Sequence, residues 1–399
     1  MSHEDRQSSA GKQRADDEFR KTQAEQDNGQ TEQDSGNQKE EELRMKAAEG
    51  VETETPLVSI CCITYNHEPF IRDALEGFLK QKVSFLYEIL IHDDASADGT
   101  PDIIREYAAR YPDKIRPILQ KENQYSKGIT NPSGAFNFPR AKGKYIAMCE
   151  GDDYWTDPDK LRLQVEYLEG HPECCLCIHS ARILTIDGSR SDRRMRPYRK
   201  NQIITPEKIV DKELGYAMAS MVFPARLVKE MPDYYTNCPV GDIPLQLMAA
   251  AEGNGYYIDR DMSVYRLGVS VSWTSQGKTG DYEQKQRRYY EQMRETYREF
   301  DKATEGRFHK EAVSAARRIW YLTRVNTRQY EDVLDKKYRR YFRELTLRTR
   351  FYIGMEVYVP GLYKMLLAIA AWEKKRLEKS AVLETVPGEV SEEKKKDNI

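Results

Sequence analysis

Several features that assign a chain to a common class are missing from this sequence of 399 residues. No stretch reaches the roughly 20 consecutive apolar residues that a membrane-spanning helix needs, and the first residues lack the apolar core of a secretory signal peptide. The seven cysteines are odd in number and show no disulfide-framework spacing. Cys174 and Cys177 form a C-x-x-C pair, but no second pair or histidine follows at zinc-site spacing. We therefore expect packed thiols in a reducing compartment and a cytoplasmic protein.

Two nucleotide-binding motifs are missing as well. The first predicted strand is not followed by G-x-G-x-x-G, so a dinucleotide cofactor is not expected. The chain also has no G-x-x-x-x-G-K-[ST], which argues against a P-loop.

The net charge of −2 hides an uneven distribution. Residues 1–55 hold 8 basic and 15 acidic residues with hardly any large apolar side chains, so we expect a disordered acidic and polar tail there. Residues 281–380 hold 24 basic and 15 acidic residues and have a helical composition, and a charged flexible tail is expected over 381–399. An acidic arm and a basic C-terminal part thus flank a near-neutral centre.

The centre of the chain alternates between strand and helix patterns. Short apolar runs bounded by turn residues predict strands, and amphipathic stretches predict helices. The strands are expected at 57–64, 87–92, 115–119 and 144–148, and the helices end near 80, span 101–109 and lie near 131–140. Strands alternating with helices in this way are typical of a parallel sheet covered on both faces.

The fourth strand leads into an acidic turn, and polar residues at such strand ends line ligand sites in open α/β sheets. Glu150, Asp152 and Asp153 are crowded there, and close carboxylates repel one another unless a cation lies among them. Their hard oxygen atoms suit Mg²⁺ or Mn²⁺. On spacing alone, an acidic surface turn before a helix capped by Asp157 explains the residues equally well.

Four motifs in this order resemble the family 2 glycosyltransferases of the GT-A fold. They are PLVSI at 56–60, TYN at 64–66, EILIHDDASADGT at 88–100 and EGDD at 150–153. The resemblance covers about residues 56–270 and points to the inverting, bacterial surface-polysaccharide type.

This resemblance implies a fold and a division of the chain. The fold would be α/β of the GT-A type: a Rossmann-like, mostly parallel sheet with helices on both faces, plus a C-terminal helical region. The glycosyltransferase domain would occupy 56–275, with a nucleotide-binding half at 56–150 and an acceptor half at 151–275. The basic helical region would follow at 281–380.

The resemblance also assigns roles to single residues. In this family a nucleotide-sugar donor is held at the strand ends, a divalent cation neutralises its diphosphate, and a carboxylate deprotonates the acceptor. The implied donor-binding residues are Thr64, Tyr65, Asn66, Asp94 and Ser96; the implied ligands of Mn²⁺ or Mg²⁺ are Asp152, Asp153 and Glu150; the implied base is Asp242; and Tyr154, Trp155 and Ser220 would lie on the acceptor side.

Each of these roles has a structural alternative. Tyr65 could line a turn, Asp94 could accept a hydrogen bond in an Asx turn before Ser96, and Asp242 could cap a helix. One departure from the family pattern stands at Leu267 and Gly268, where relatives often have a histidine. The histidines at 67 and 179 read as packed or turn residues rather than ligands.

The C-terminal region interleaves arginine with tyrosine. Without a recognised module, nucleic acid is not expected as a partner. The apolar run at 362–372 and the basic residues after it favour two interpretations equally: a core helix with a solvated end, or contact of residues 350–378 with an anionic membrane surface at the inner face of the plasma membrane.

The sequence thus predicts an inverting, metal-assisted glycosyltransferase that uses a nucleotide-diphosphate sugar, with UDP as the expected nucleotide. The acceptor would be a hydroxyl of a glycan or lipid-linked glycan. Two alternatives remain open: a catalytically inactive sugar-nucleotide-binding scaffold and a nucleotidyltransferase. The second would need a Gly-rich basic loop after the first strand, which residues 64–67 do not provide.

Overall fold

The computed structural model describes residues 55–186, 193–211, 215–270, 281–369 and 372–373. The tails expected at 1–55 and 381–399 lie, apart from residue 55, outside these ranges. Everything below concerns the compact unit that begins at Leu57.

A ten-stranded mixed sheet forms the centre of this unit. Eight strands lie side by side in the order β3-β2-β1-β4-β9-β6-β10-β5, while β7 pairs with β6 and β8 pairs with β10. The strands are β1 (Val58–Thr64), β2 (Tyr87–Asp93), β3 (Ile115–Leu119), β4 (Tyr145–Glu150), β5 (Tyr154–Trp155), β6 (Cys174–Thr185), β7 (Arg193–Met195), β8 (Gln202–Ile204), β9 (Val222–Pro224) and β10 (Asn254–Leu267).

The first four strands are parallel, as their sequences predict. β1 pairs in parallel with β2 and β4, and β2 pairs with β3. β9 enters antiparallel beside β4, and β6 and β10 are parallel to each other. The carboxyl ends of β1, β2 and β4 therefore meet at one edge of the sheet, where ligands bind in open α/β folds.

Helices cover both faces of the sheet. Their bounds are α1 (Ile71–Leu79), α2 (Thr100–Arg110), α3 (Lys160–Gly170), α4 (Pro206–Asp211), α5 (Asp233–Thr236), α6 (Asp242–Glu252), α7 (Tyr282–Ala303), α8 (His309–Asn326), α9 (Tyr330–Leu334), α10 (Arg339–Glu344) and α11 (Leu347–Tyr358). The helix expected near 131–140 is a π turn at Ser133–Asn137 followed by a 3₁₀ turn at Phe138–Arg140.

The two faces of β1 explain its mostly apolar sequence. Val58, Ile60 and Cys62 pack into one core with α1, α2 and α3, whereas Cys61 packs into the other core with α6 and α7. Side chains that alternate between two buried faces favour apolar residues, and the buried Ser59 hydroxyl donates to Glu88. The α/β class with helices on both faces, predicted from the sequence, is confirmed.

The C-terminal region is helical, as expected. Helix α7 buries Met293, Tyr297 and Phe300 in the same core as α6 and the sheet. A smaller separate cluster around Tyr321 and Ile353 joins α8 to α11. None of the described helices is both long enough and apolar enough to cross a membrane.

Candidate active site

The loops after β1 and β2 are joined by hydrogen bonds. The backbone N–H of Asn66 donates to Ser96 Oγ (2.8 Å), and Asn66 Oδ1 accepts the N–H of Ala97 (2.8 Å). Asn66 has a φ of 52°, a left-handed conformation that asparagine adopts more readily than most residues. Asn66 and Ser96, both predicted for donor binding, therefore brace one loop against the other.

Asp94 accepts its hydrogen bonds from the turn after β3 rather than from Ser96, its neighbour in the sequence. Its carboxylate accepts backbone N–H groups of Gln124 (2.7 Å) and Tyr125 (3.0 Å), from the turn after β3. The Asx-turn contact with Ser96, considered for Asp94, is made by Asp93 instead, whose carboxylate accepts both the N–H and the hydroxyl of Ser96. A carboxylate has about four acceptor positions, so two remain for a ligand at Asp94.

Close backbone approach explains the glycine of the acidic motif. A Cβ atom on Gly151 would lie 2.7 Å from Thr64 Oγ1 and 3.1 Å from His67 Nδ1, so any larger residue would push the acidic turn away from the end of β1. The Thr64 hydroxyl is buried without a hydrogen-bond partner. Tyr65, the next residue, is partly exposed at the same edge.

Two carboxyl groups of the acidic motif, Glu150 and Asp153, have raised pKa values. Burial, the charge of Asp152 and the charge of Asp242 together raise the pKa of Glu150 from 4.5 to about 8. Burial and the charges of Asp152 and Glu150 hold the pKa of Asp153 well above its ordinary value. The effect of Asp242 on Glu150 also shows that the structure brings the predicted base into electrostatic reach of the predicted metal motif, although 92 positions separate them in the sequence.

Arg266, near the end of β10, was not singled out by sequence reasoning and fixes this motif. Its guanidinium donates to the backbone oxygen of Asp152 (2.8 Å) and to the carboxylate of Asp73 in α1, and its own N–H donates to Asp153 Oδ1 (2.8 Å). The guanidinium carbon lies 4.4 Å from the centre of the Tyr154 ring, a cation–π distance. Arg266 thus ties the acidic turn to β10 and α1.

Asp242 begins helix α6, with Gly241 as the preceding cap residue. A Cβ atom on Gly241 would lie 2.7 Å from the side-chain oxygen of Asn131, which explains the glycine. Burial, and after it the charge of Asp242, raise the pKa values of Tyr216 and Tyr289. The carboxylate is therefore bordered by phenols that stay protonated.

Two of the three residues expected on the acceptor side are interior packing residues. Trp155 is buried: its indole N–H donates to the backbone oxygen of Ala219 (2.9 Å) and its ring packs edge-on against Phe78. The Ser220 side chain is fully buried and donates to the backbone oxygen of Ala217. Their places follow from pairing of β5 with β10 and β9 with β4, which the sequence did not predict. Tyr154 is partly exposed.

His67 lies beside the motif rather than within a ligand set. Its Nε2 atom is 3.9 Å from Asp152 Oδ2, and burial lowers its pKa against the opposing effect of Asp152. His67 and His179 are both buried, which agrees with the prediction of packed histidines.

The site fits a divalent cation in its chemistry without presenting a finished ligand set. Among the described residues, no three histidine, cysteine, aspartate or glutamate side chains stand close enough together to hold a metal. Asp153 Oδ2 is nevertheless buried without a hydrogen-bond partner among the described residues. Burial and neighbouring carboxylates raise the pKa values of Glu150 and Asp153, an effect that a bound cation would oppose. Carboxylate oxygens of this kind are the ligands that Mg²⁺ and Mn²⁺ prefer.

A cleft of about 610 Å³ opens on the outer side of the β1 and β2 loops. Asn66 and Asp98 supply its polar edge, and Phe70 and Ile186 supply apolar walls. Neither Asp94 nor the acidic motif lines this cleft. It borders the predicted donor site at Asn66 alone.

Comparison with known proteins agrees with this fold. Residues 59–228 match the model of the glycosyl transferase family 2. An uncharacterized protein of Mycobacterium tuberculosis is 38% identical over 226 residues, which are 55% of this chain and 61% of that protein. A Bacillus subtilis protein whose name assigns it to teichuronic acid biosynthesis as a glycosyltransferase, TuaG, is 30% identical over 138 residues, 35% of this chain and 52% of that protein.

A solved structure shares the fold. The structure of residues 1–349 of TarS from S. aureus in complex with UDP-GlcNAc superposes with a TM-score of 0.51 at 14% sequence identity, over 73% of this chain and 82% of that one. The chain spans about three fifths of the mycobacterial relative and half of TuaG. The part of the chain at residues 59–228 is thus similar to the family 2 glycosyltransferases, and its fold is of the GT-A type.

Proposed function

We propose that this chain transfers a sugar from a nucleotide-diphosphate donor to a hydroxyl group of a glycan or lipid-linked glycan, with inversion at the anomeric carbon. The observation that carries the proposal is that Asp152, from the same turn, and Asp242, from the start of α6, both act electrostatically on Glu150 at the end of β4. Carboxylates for a cation and a carboxylate for a proton are the two groups that this reaction needs.

The donor would lie across the ends of β1, β2 and β4. In this proposal Tyr65 stacks on the base, and the two acceptor positions left on Asp94 receive the imide N–H of a uracil ring. Thr64, Asn66 and Ser96 keep the two loops at the spacing that the nucleotide requires. The UDP-GlcNAc in the TarS complex supports UDP as the nucleotide, and the sugar itself is left open.

Asp152, Glu150 and Asp153 would hold Mn²⁺ or Mg²⁺, which when bound supplies positive charge to the leaving diphosphate. Asp242 accepts the proton of the acceptor hydroxyl as that oxygen attacks the anomeric carbon. A bond from the acceptor oxygen to that carbon forms, the bond from the carbon to the diphosphate oxygen breaks, and the nucleoside diphosphate leaves. Attack from the side opposite the leaving group inverts the configuration.

Tyr154 is the remaining residue for the acceptor side, since Trp155 and Ser220 are interior.

All seven cysteines belong to the described part of the chain, are buried and form no disulfide, which supports a cytoplasmic location. The membrane contact expected from the sequence concerns the helical region and is independent of this chemistry.

The decisive experiment is a calorimetric titration of the full chain with UDP, with and without Mn²⁺. We expect binding that depends on Mn²⁺ and is lost in the variant Asp152→Ala/Asp153→Ala, whereas Asp102→Ala, an exposed carboxylate on α2, leaves it unchanged. Absent or metal-independent binding would contradict the metal site.

Turnover separates the transferase from its alternatives. With a panel of UDP-sugars and a bacterial lipid extract as acceptor, wild type should release UDP, and Asp242→Asn should release it about 10²- to 10⁴-fold more slowly while binding UDP as before. Binding of UDP without release from any donor would favour the inactive scaffold. Release of pyrophosphate from a nucleoside triphosphate would favour the nucleotidyltransferase.

A further inference from the structure

Helix α11 is buried on one side only. Ile353 packs into the cluster with Tyr321, and Val357 packs against that cluster. On the other side of the helix, Leu347, Phe351 and Tyr358 are exposed. At about 100° per residue these three positions fall within about 40° of one another, so α11 carries an apolar ridge turned away from the protein.

A second apolar ridge follows immediately. Residues 360–369 continue in helical conformation and carry four large apolar side chains on one face. These are Leu362, Met365, Leu366 and Ile369, whose spacing brings them together. Exposed Trp372 follows three positions later, while Lys364 and Leu367, also exposed, lie on the opposite side.

The two ridges together form one surface feature, called here the C-terminal apolar face. Its eight large side chains are each between 45% and 76% exposed. Soluble monomers rarely leave so many neighbouring apolar side chains in water, and when they do the patch marks a binding surface.

The surrounding charge identifies the kind of partner. Residues 347–376 contain six basic and two acidic residues, and one of the acids, Glu356, is already held by Arg328 (3.0 Å) and Tyr330 (2.8 Å). The run Lys374-Lys375-Arg376 follows Trp372 after one acidic residue, Glu373. Aromatic and aliphatic side chains next to a basic cluster are typical of helices that lie in the interface of an anionic bilayer.

We propose that the C-terminal apolar face docks this chain on the surface of a bilayer containing anionic lipid. The apolar ridges would enter the boundary between headgroups and acyl chains, and the basic residues would contact lipid phosphates. Docking on the surface is consistent with the finding that no described helix can cross a membrane.

The backbone argues against a second copy of the chain as the partner. Val359 leaves the helical region (φ −137°, ψ 57°) and separates the two ridges, whereas a coiled-coil seam needs a continuous helix over several heptads. Two copies would also bring their basic clusters together. The surface of a bilayer is flat, so it can bind two short ridges without a continuous helix. It also brings no second basic cluster close to the first.

The test is sedimentation of the full chain with vesicles of phosphatidylcholine, alone or mixed with phosphatidylglycerol. We expect binding to the mixed vesicles that weakens at high salt. Leu366→Glu/Ile369→Glu should reduce vesicle binding at least tenfold, because both charges would enter the apolar boundary. Lys374→Glu/Lys375→Glu should reduce it by about the same factor without altering the apolar ridges.

A matched control replaces an exposed apolar residue elsewhere. Ile203→Glu, on β8, should leave vesicle binding unchanged. Calorimetry with UDP on the same variants keeps the two proposals apart, because loss of vesicle binding should leave the Mn²⁺-dependent titration intact. Failure of wild type to bind anionic vesicles, or equal binding by Leu366→Glu/Ile369→Glu, would overturn the proposal. So would a lipid-free dimer that this variant converts to monomer in sedimentation velocity.

Discussion

Two groups of carboxylates flank the end of β1, and they differ in their hydrogen bonds. On the β2 side, Asp93 accepts two hydrogen bonds from Ser96 and Asp94 accepts two from backbone amides. On the β4 side, Asp153 accepts one, from a backbone N–H, and its Oδ2 atom accepts none from the described residues. Burial raises the pKa values of Asp93, Glu150 and Asp153 alike, but only on the β4 side is a neighbouring carboxylate the next largest cause.

The difference separates carboxylates that stabilise the loops from carboxylates that the proposed function assigns to a cation. Carboxylates that accept several N–H bonds stabilise the loops that carry them. Carboxylates crowded without a compensating charge cost folding free energy, and such a cost persists where a ligand offsets it. The β2 side thus shapes the site, and the proposed role of the β4 side is to hold a cation.

Removing Arg266 should have the largest effect on this contrast, because it is the cation that braces the acidic turn. Arg266→Met should lower the free energy of unfolding by about 3 kcal/mol, since a buried oxygen of Asp152 and the Asp153 carboxylate both lose stabilisation. Urea unfolding with a chelator present measures this loss.

A matched control lies on the same strand. Arg260 is half exposed and pairs with Asp157 (2.5 Å), so Arg260→Met should cost no more than about 1 kcal/mol. Equal losses in the two variants would mean that Arg266 contributes only as an ordinary surface pair does.

Neutralising Glu150 should stabilise the metal-free protein, but only at high pH. Because the folded-state pKa is raised from 4.5 to about 8, the native state keeps its proton while the unfolded state loses it between these values. Stability therefore falls as pH rises through this window. Glu150→Gln should gain about 2 kcal/mol at pH ~9, after allowance for partial exposure, and nothing near pH ~5.

The control for this prediction is Glu166→Gln, an exposed carboxylate on α3 that pairs with Arg162. Its effect on the free energy of unfolding should stay within about 0.5 kcal/mol at both pH values. A gain for Glu150→Gln that is the same at both pH values would refute the raised pKa.

A substitution on the β2 side should lower the free energy of unfolding, and by less than Glu150→Gln raises it. Asp94→Asn keeps one acceptor oxygen but turns an amide N–H₂ toward the backbone N–H of Gln124 or Tyr125, so it should destabilise the chain by about 1.5 kcal/mol. Asp113→Asn, at an exposed position, should have no measurable effect. Thermal unfolding distinguishes them, and stabilisation by Asp94→Asn would remove the contrast between the two sides.

The parts predicted from sequence are those that depend on local pattern. The sequence predicts the third strand at its observed bounds, and β1, β2 and β4 to within two residues, because a strand buried on both faces is rich in apolar residues. The acidic motif and the start of α6 were located for a similar reason: turn residues and helix starts leave local signals.

The parts that were missed depend on contacts between distant residues. In the sequence Trp155 follows the acidic motif and is therefore expected at the site. Its pairing with Ser263 places it in the interior instead. Arg266 is one of many arginines in the sequence, and nothing near it predicts a bond to Asp152. The buried arginine that contacts the acidic turn comes from a strand more than a hundred positions away. Only the tertiary structure reveals this contact.

The contacts of Arg266 also determine the order in which the site forms during synthesis. They join positions 114 and 193 residues apart, so their loop-closure cost is greater than that of the early strand pairs. The strands β1 to β4 can associate as soon as they leave the ribosome, while the residue that holds the acidic turn is added more than a hundred positions later. We therefore expect the acidic turn to reach its final position only when β10 joins the sheet, after the strands that carry the donor-side loops have paired.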